Sequence, residues 1–171
     1  MMGRNPGRDK KLFRLLFEYL KDSSRSDKEM AKVIGVSEST ISRMKRKLVE
    51  DGLVFQFSAM PNFSKIGYEI MAFSCVKFKP EKIPEIEARA KGWARNNHEI
   101  LFTSRTQGMG MDALTISVHK NYADYAKFVK KNKMMFGDLM AEAHNMLIDL
   151  KGEVTKPFSL QYLAEEEKKR S

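Results

Sequence analysis

This chain is poor in the residues that build covalent frameworks and metal centres. A single cysteine, Cys75, excludes an internal disulfide framework and fits a reducing, cytoplasmic setting. It lies in an apolar, strand-like run and is expected to be inert core. Three histidines, His98, His119 and His144, are scattered and lack metal-ligand spacing. No metal and no cofactor are expected. No apolar run approaches the ~20 residues that span a bilayer. None follows the basic N-terminus MMGRNPGRDKK either, so neither a membrane span nor a secretory leader is expected. No nucleophile–base pair or Gly-rich phosphate loop suggests catalysis, so an enzyme is not expected. Acid is also in short supply. Twenty-two Asp and Glu face 31 Lys and Arg, a net charge of +9. That surplus implies an anionic partner, nucleic acid before membrane.

With 171 residues and 42% hydrophobic content, one medium domain or two small ones can be packed. The most informative stretch is 27–46, DKEMAKVIGVSESTISRMKR. Counted from Asp27, a small residue falls fifth (Ala31) and a glycine ninth (Gly35). Bulky apolar residues fall fourth, eighth, tenth, fifteenth and eighteenth (Met30, Ile34, Val36, Ile41, Met44). Ala31 lets two helices approach closely, and Gly35 can take the left-handed conformation that a short turn needs. The five apolar residues close a small core. This is the spacing of a DNA-binding helix-turn-helix.

Around it, Leu12, Leu16 and Leu20, with Phe13 and Phe17, predict a first helix over 9–21. Ser26 with Glu29 forms a capping box for the second helix. Gly35 ends that helix, Ser37 caps the third and Gly52 ends it. Residues 53–59, LVFQFSA, alternate as a strand. Three helices and a strand make the winged form of the motif. On the third helix, at about 100° per residue, Ile41, Met44 and Leu48 share one side. Ser39, Ser42, Arg43 and Arg46 fall opposite, flanked by Thr40 and Lys47. Arg can pair bidentately with guanine, while Ser and Thr meet base edges or phosphates. Lys45 lies beside the apolar face and is expected to reach sideways to a phosphate. The DNA-binding set is therefore Ser37, Ser39, Thr40, Ser42, Arg43, Lys45, Arg46 and Lys47. The basic arm Arg4, Arg8, Lys10 and Lys11 has two open readings, added phosphate contacts or none.

After Pro61 the pattern becomes mixed. Strands are expected over 70–78, 100–105, 112–119 and 145–150, with a further one over 157–163. Helices are expected after Pro80 and Pro84, with Ile83, Ile86, Ala90 and Trp93 on one face, and after Asn121, with Tyr122, Tyr125, Ala126 and Val129. In the third of these strands Leu114, Ile116 and Val118 are expected inward and Thr115, Ser117 and His119 outward. The order is that of a ferredoxin-like βαββαβ domain. One face of such a sheet is open and can bury itself against a second copy. The fold class is α+β. The domains are 1–62, a winged helix-turn-helix; 63–67, a linker; 68–163, a ferredoxin-like dimerisation and effector domain; and 164–171, a charged tail.

These motifs together resemble the Lrp/AsnC family of prokaryotic transcription regulators, over almost the whole chain. The resemblance rests on RLLFEYLKDSSRSDKEMAKVIGVSESTISRMKRKLVEDGLV, on Lys65-Ile-Gly-Tyr before a strand, and on the hairpin QGMGMDALTISV. It implies sequence-specific regulation of transcription on double-stranded DNA by a homodimer or ring of dimers. It also implies an amino acid or related small molecule as effector, bound near Gly108, Gly110 and Asp112. The family carries a glycine three residues before that aspartate, where this chain has Met109 between two glycines. A plain hairpin turn, with Asp112 as its cap, is the other reading of those residues. Two further functions stand beside the regulator: an enzyme like the sirohaem decarboxylases that share this scaffold, whose His and Tyr-Asn motifs are not found here, and an architectural DNA-binding protein of low specificity.

Overall fold

The computed structural model describes residues 6–170, with side chains described for 10–166. In chain order the elements are α1 (Pro6–Lys21), α2 (Asp27–Ile34), α3 (Glu38–Glu50), β1 (Ile70–Phe78), α4 (Ile83–Arg95), β2 (Ile100–Arg105), β3 (Ala113–His119), α5 (Tyr122–Phe136), β4 (Met140–Asp149) and α6 (Gln161–Arg170). They form two compact units. One runs through Met60 and resumes at Lys156; the other is Pro61–Thr155. Arg4 of the basic arm lies outside the described residues, as does the side chain of Arg8.

The first unit closes around Leu12, Leu15 and Tyr19 of α1, Met30, Ala31 and Ile34 of α2, and Ile41 and Leu48 of α3. Of the predicted face of α1, Leu12 is buried and Leu16 packs on the core, but Leu15 and Tyr19 are buried as well and Phe13 is exposed. The predicted strand over 53–59 does not form. A strand needs a partner for its amides and carbonyls, and among the described residues this unit has none. Instead Val54 and Phe57 fold back on the helical core, the Phe57 ring lying edge-on to Tyr19 at 5.0 Å. The strand predicted over 157–163 and the tail over 164–171 are also replaced. Helix α6 begins at Gln161 and packs on α1, with Ala164 buried.

The second unit is a four-stranded antiparallel sheet in the order β2-β3-β1-β4, the ferredoxin-like arrangement. Period-two alternation sorts its side chains onto two faces. Phe78 of β1 packs with Ile86 of α4 and Phe136 of α5. His119 of β3 packs with Tyr125 and Phe128 of α5. Those contacts define the face that the helices cover.

Here the sequence expectation for β3 is reversed, except that Val118 is buried as expected. Thr115, Ser117 and His119 lie on the covered face and are buried, the last two completely. Leu114 and Ile116 lie on the other face, opposite Cys75 and Phe73 of β1. Hydrophobic period alone assigned the apolar side to the helices. The buried polar side is hydrogen-bonded apart from His119 Nδ1, which is buried without a partner among the described residues. Ser117 Oγ meets His119 Nε2 at 2.9 Å, and Thr115 Oγ1 meets Thr103 Oγ1 at 2.9 Å. On α5 the buried positions are Tyr125, Phe128 and Phe136, while Tyr122 is exposed.

Candidate nucleic-acid interface

The helix-turn-helix is built by local chemistry. Ser26 Oγ accepts the Glu29 amide at 3.3 Å, and Glu29 Oε2 accepts the Ser26 amide at 2.8 Å. The Ser26 hydroxyl also donates to Glu29 Oε2 at 2.7 Å, and the two bonds that the carboxylate accepts from Ser26 hold it below its ordinary pKa, so the box is closed at neutral pH. Gly35 sits at φ 74°, ψ 48°, and its amide donates to Ala31 O at 2.9 Å. Two residues later Ser37, extended at φ −74°, ψ 156°, caps α3, its Oγ accepting the Thr40 amide at 3.3 Å.

Helix α3 is held by Ile41 and Leu48, both with no exposed surface, and by the partly buried Met44. Its opposite side presents Ser39, Ser42, Arg43 and Arg46 to solvent. Arg43 and Arg46 make no hydrogen bond or ion pair among the described residues. The other candidates are engaged. Ser37 Oγ also meets Ser39 Oγ at 3.1 Å and Thr40 Oγ1 at 2.9 Å, a hydroxyl cluster at the helix N-terminus. Ser42 donates to Asp27 at the start of α2. Lys47 pairs with Asp51 at 3.7 Å.

Lys45 differs from its expected sideways reach. Its ammonium lies over two rings, 4.8 Å from the centroid of Phe57 and 5.4 Å from that of Tyr19. Burial, with Asp27 nearby, pushes the Tyr19 phenol up to about 12, so the ring beneath the cation stays neutral. Sequence reasoning missed this contact because Phe57 was assigned to a strand. It also missed two guanidiniums that brace the unit. Arg14 donates to Val33 O at the end of α2, at 2.7 Å. Arg25 donates to Glu18 O at 2.9 Å and Glu18 Oε2 at 3.0 Å. The arginine after α1 was legible as a family feature, but its partner was not.

Gly108, Gly110 and Asp112 come together at one hairpin. Gly108, Met109 and Gly110 have φ of 135°, 53° and 71°, three successive residues in the region that favours glycine. Met109 is 94% exposed. Asp112 lies at the base, where its amide donates to Val76 O at 2.8 Å and its Oδ2 accepts the Phe78 amide at 2.8 Å. The carboxylate therefore ties β3 to β1. Among the described residues no helix is long and apolar enough to cross a membrane.

Comparison with known proteins agrees with this geometry. A family model described as winged helix-turn-helix DNA-binding matches residues 8–54. An HTH-type transcriptional regulator of Pyrococcus abyssi is 32% identical over 122 residues, 71% of this chain and 78% of that one. Other Pyrococcus regulators match over a shorter stretch, and the chain spans about half their length. Among solved structures, E. coli AsnC superposes with a TM-score of 0.65 at 17% identity, over 87% of this chain and 96% of that one. A Neisseria meningitidis transcriptional regulator in complex with L-Met superposes with a TM-score of 0.69 at 18% identity, over 90% and 97%. The exposed face of α3, the curated relatives and the shared fold lead to one conclusion: this chain belongs to the HTH-type transcriptional regulators, DNA-binding proteins, and has the fold of the Lrp/AsnC proteins.

Proposed function

We propose that this regulator reads a specific, near-palindromic duplex as a homodimer or multiple of dimers, by binding and not by catalysis. The observation that carries the reading is the split of α3. Ile41 and Leu48 are wholly buried, while Arg43 and Arg46 project into solvent without partners among the described residues. Arg43 and Arg46 read base edges, with Ser39 and Thr40 at the helix N-terminus on base edges or phosphates. Ser37 and Ser42 set the position of the helix, and Lys47 can leave Asp51 for a phosphate.

One monomer presents one such helix, so specificity needs a second copy, with half-sites ~34 Å apart or a multiple of that. The uncovered sheet face supports a symmetric pairing. It carries Met71 and Phe73 of β1, Ile116 of β3, and Met146 and Ile148 of β4, the last two 63% and 44% exposed.

An amino acid or related small molecule modulates binding at the Gly108–Gly110 hairpin. The left-handed backbone and the exposed Met109 support this, together with the L-Met bound by the Neisseria protein. Asp112 is already committed to the Phe78 amide, so hairpin backbone groups make the effector contacts.

The test is selection of bound duplexes from a random pool, with and without amino acids. A recovered motif with two-fold symmetry, weakened by Arg43→Ala with Arg46→Ala, supports the reading. Recovery of no motif transfers the protein to the architectural class, and amino-acid-independent selection removes the effector.

A further inference from the structure

Beneath the sheet, between its covered face and helices α4 and α5, lies a cavity of about 730 Å³. Small-molecule sites span roughly 300–1,000 Å³. One wall is apolar and aromatic: Ile86, Ala90 and Trp93 from α4, Phe128 and Phe136 from α5. The Trp93 and Phe136 rings meet edge to face at 5.5 Å.

The floor is polar. Thr103 of β2 stands opposite Thr115 of β3, Thr115 opposite Ser74 of β1, and Ser74 opposite Asn145 of β4. One row of polar side chains thus crosses all four strands at a single level, with Thr103, Thr115 and Ser74 lining the cavity and Asn145 exposed on β4 beyond it. Ser74 Oγ donates to Asn145 Oδ1 at 2.6 Å, and the two threonine hydroxyls meet at 2.9 Å. Under covering helices, apolar side chains would give the most burial energy. Hydroxyls there give up that burial. In the threonine pair one hydroxyl donates to the other, which leaves the second proton free for a guest. Lys91, Arg95 and Arg105 edge the mouth. Arg105 pairs with Glu87 at 2.8 Å, and Lys91 and Arg95 have no ion-pair partner among the described residues.

We propose that this cavity binds a small aromatic carboxylate carrying a further polar group. The ring packs on Trp93, Phe128 and Phe136, the carboxylate meets Lys91 and Arg95 at the mouth, and the second polar group bonds the hydroxyl row. The site is held within one subunit's sheet and helices, and it stands whether or not an effector occupies the hairpin.

Trp93 is the sole tryptophan of the chain, so its emission reports occupancy directly. The full-length protein is titrated with para-hydroxyphenylacetate and with tyrosol, its neutral alcohol analogue, and no DNA is present. The expected result is a saturable change in Trp93 emission with the carboxylate, and at least tenfold weaker binding of tyrosol. Ala90→Phe fills the cavity and abolishes the change. Lys91→Gln with Arg95→Gln leaves the interior intact and brings the carboxylate down to the affinity of tyrosol, so a folding failure of the first variant does not decide the matter. The proposal is overturned by an unsaturable response up to the solubility of the probe. It is equally overturned by equal affinity for the two probes, or by unchanged carboxylate binding in the mouth variant.

Discussion

Arg43 and Arg46 have no partner among the described residues, whereas Ser39, Thr40, Ser42, Lys45 and Lys47 of the same helix are engaged, and that difference sets what each substitution does. Arg43→Ala and Arg46→Ala each cost ~1–3 kcal/mol of operator binding if they read guanine, measured by titration of a selected duplex at fixed salt. Lys45→Ala behaves otherwise. Its ammonium lies over Phe57 and Tyr19, a contact of ~0.5–1 kcal/mol at an exposed site. The variant lowers the melting temperature of the first unit and leaves the salt slope of DNA binding unchanged. A reduced slope would return Lys45 to the phosphate-binding set. His119 carries a pH signature in the other unit. Burial pushes its imidazole below the ordinary value, while Asp124 and Glu99 pull the other way. The folded protein therefore favours the neutral ring. Its contribution is complete above the unfolded value of 6.5 and is lost as pH falls from there through the depressed folded value. The melting temperature of the second unit is expected to fall as pH drops through that range and this component to level off below it, and His119→Gln removes it.

Elements were legible in proportion to how locally they are determined. The capping box at Ser26, the Gly35 turn and the Ser37 cap each depend on residues within four positions, and each is present as expected. The turn at Gly35 is tested by Gly35→Ala. Nothing lies within 4 Å of the added Cβ, so the cost is backbone strain at φ 74°, ~1–2 kcal/mol, read from denaturant unfolding. Strands depend on distant partners, and there the sequence misled. LVFQFSA alternates, yet no neighbouring strand in its unit receives it, and its apolar residues serve the helices. Residues 157–163 are likewise apolar in pattern but end in a helix packed on α1. In β3 both faces are in use, so alternation located the strand and not its orientation. For the reading face of α3, helical arithmetic sufficed, because one buried stripe fixes the direction of everything else. The partners of Ser42, Lys45 and Lys47 required coordinates.

At the scale of the whole molecule, the two sheet faces divide the labour. The face with the hydroxyl row lies under α4 and α5, and the face with Met71, Phe73, Met146 and Ile148 is the one that the proposed pairing buries. Met146→Glu with Ile148→Glu places like charges across that pairing. Sedimentation is expected to show a monomer, and operator affinity is expected to fall with it, since one recognition helix then acts alone. A variant that stays dimeric places the pairing elsewhere.

Helix α6 adds a temporal consequence. The unit that holds α1, α2 and α3 is completed by a segment made after Thr155, whose Ala164 is buried in it. During vectorial synthesis the ribosome must deliver the entire ferredoxin-like domain before that last piece emerges. The sheet domain, contiguous in the chain, can mature first, and the nucleic-acid reader is finished only afterwards, so under the proposed pairing a nascent chain can associate before its headpiece is fully assembled.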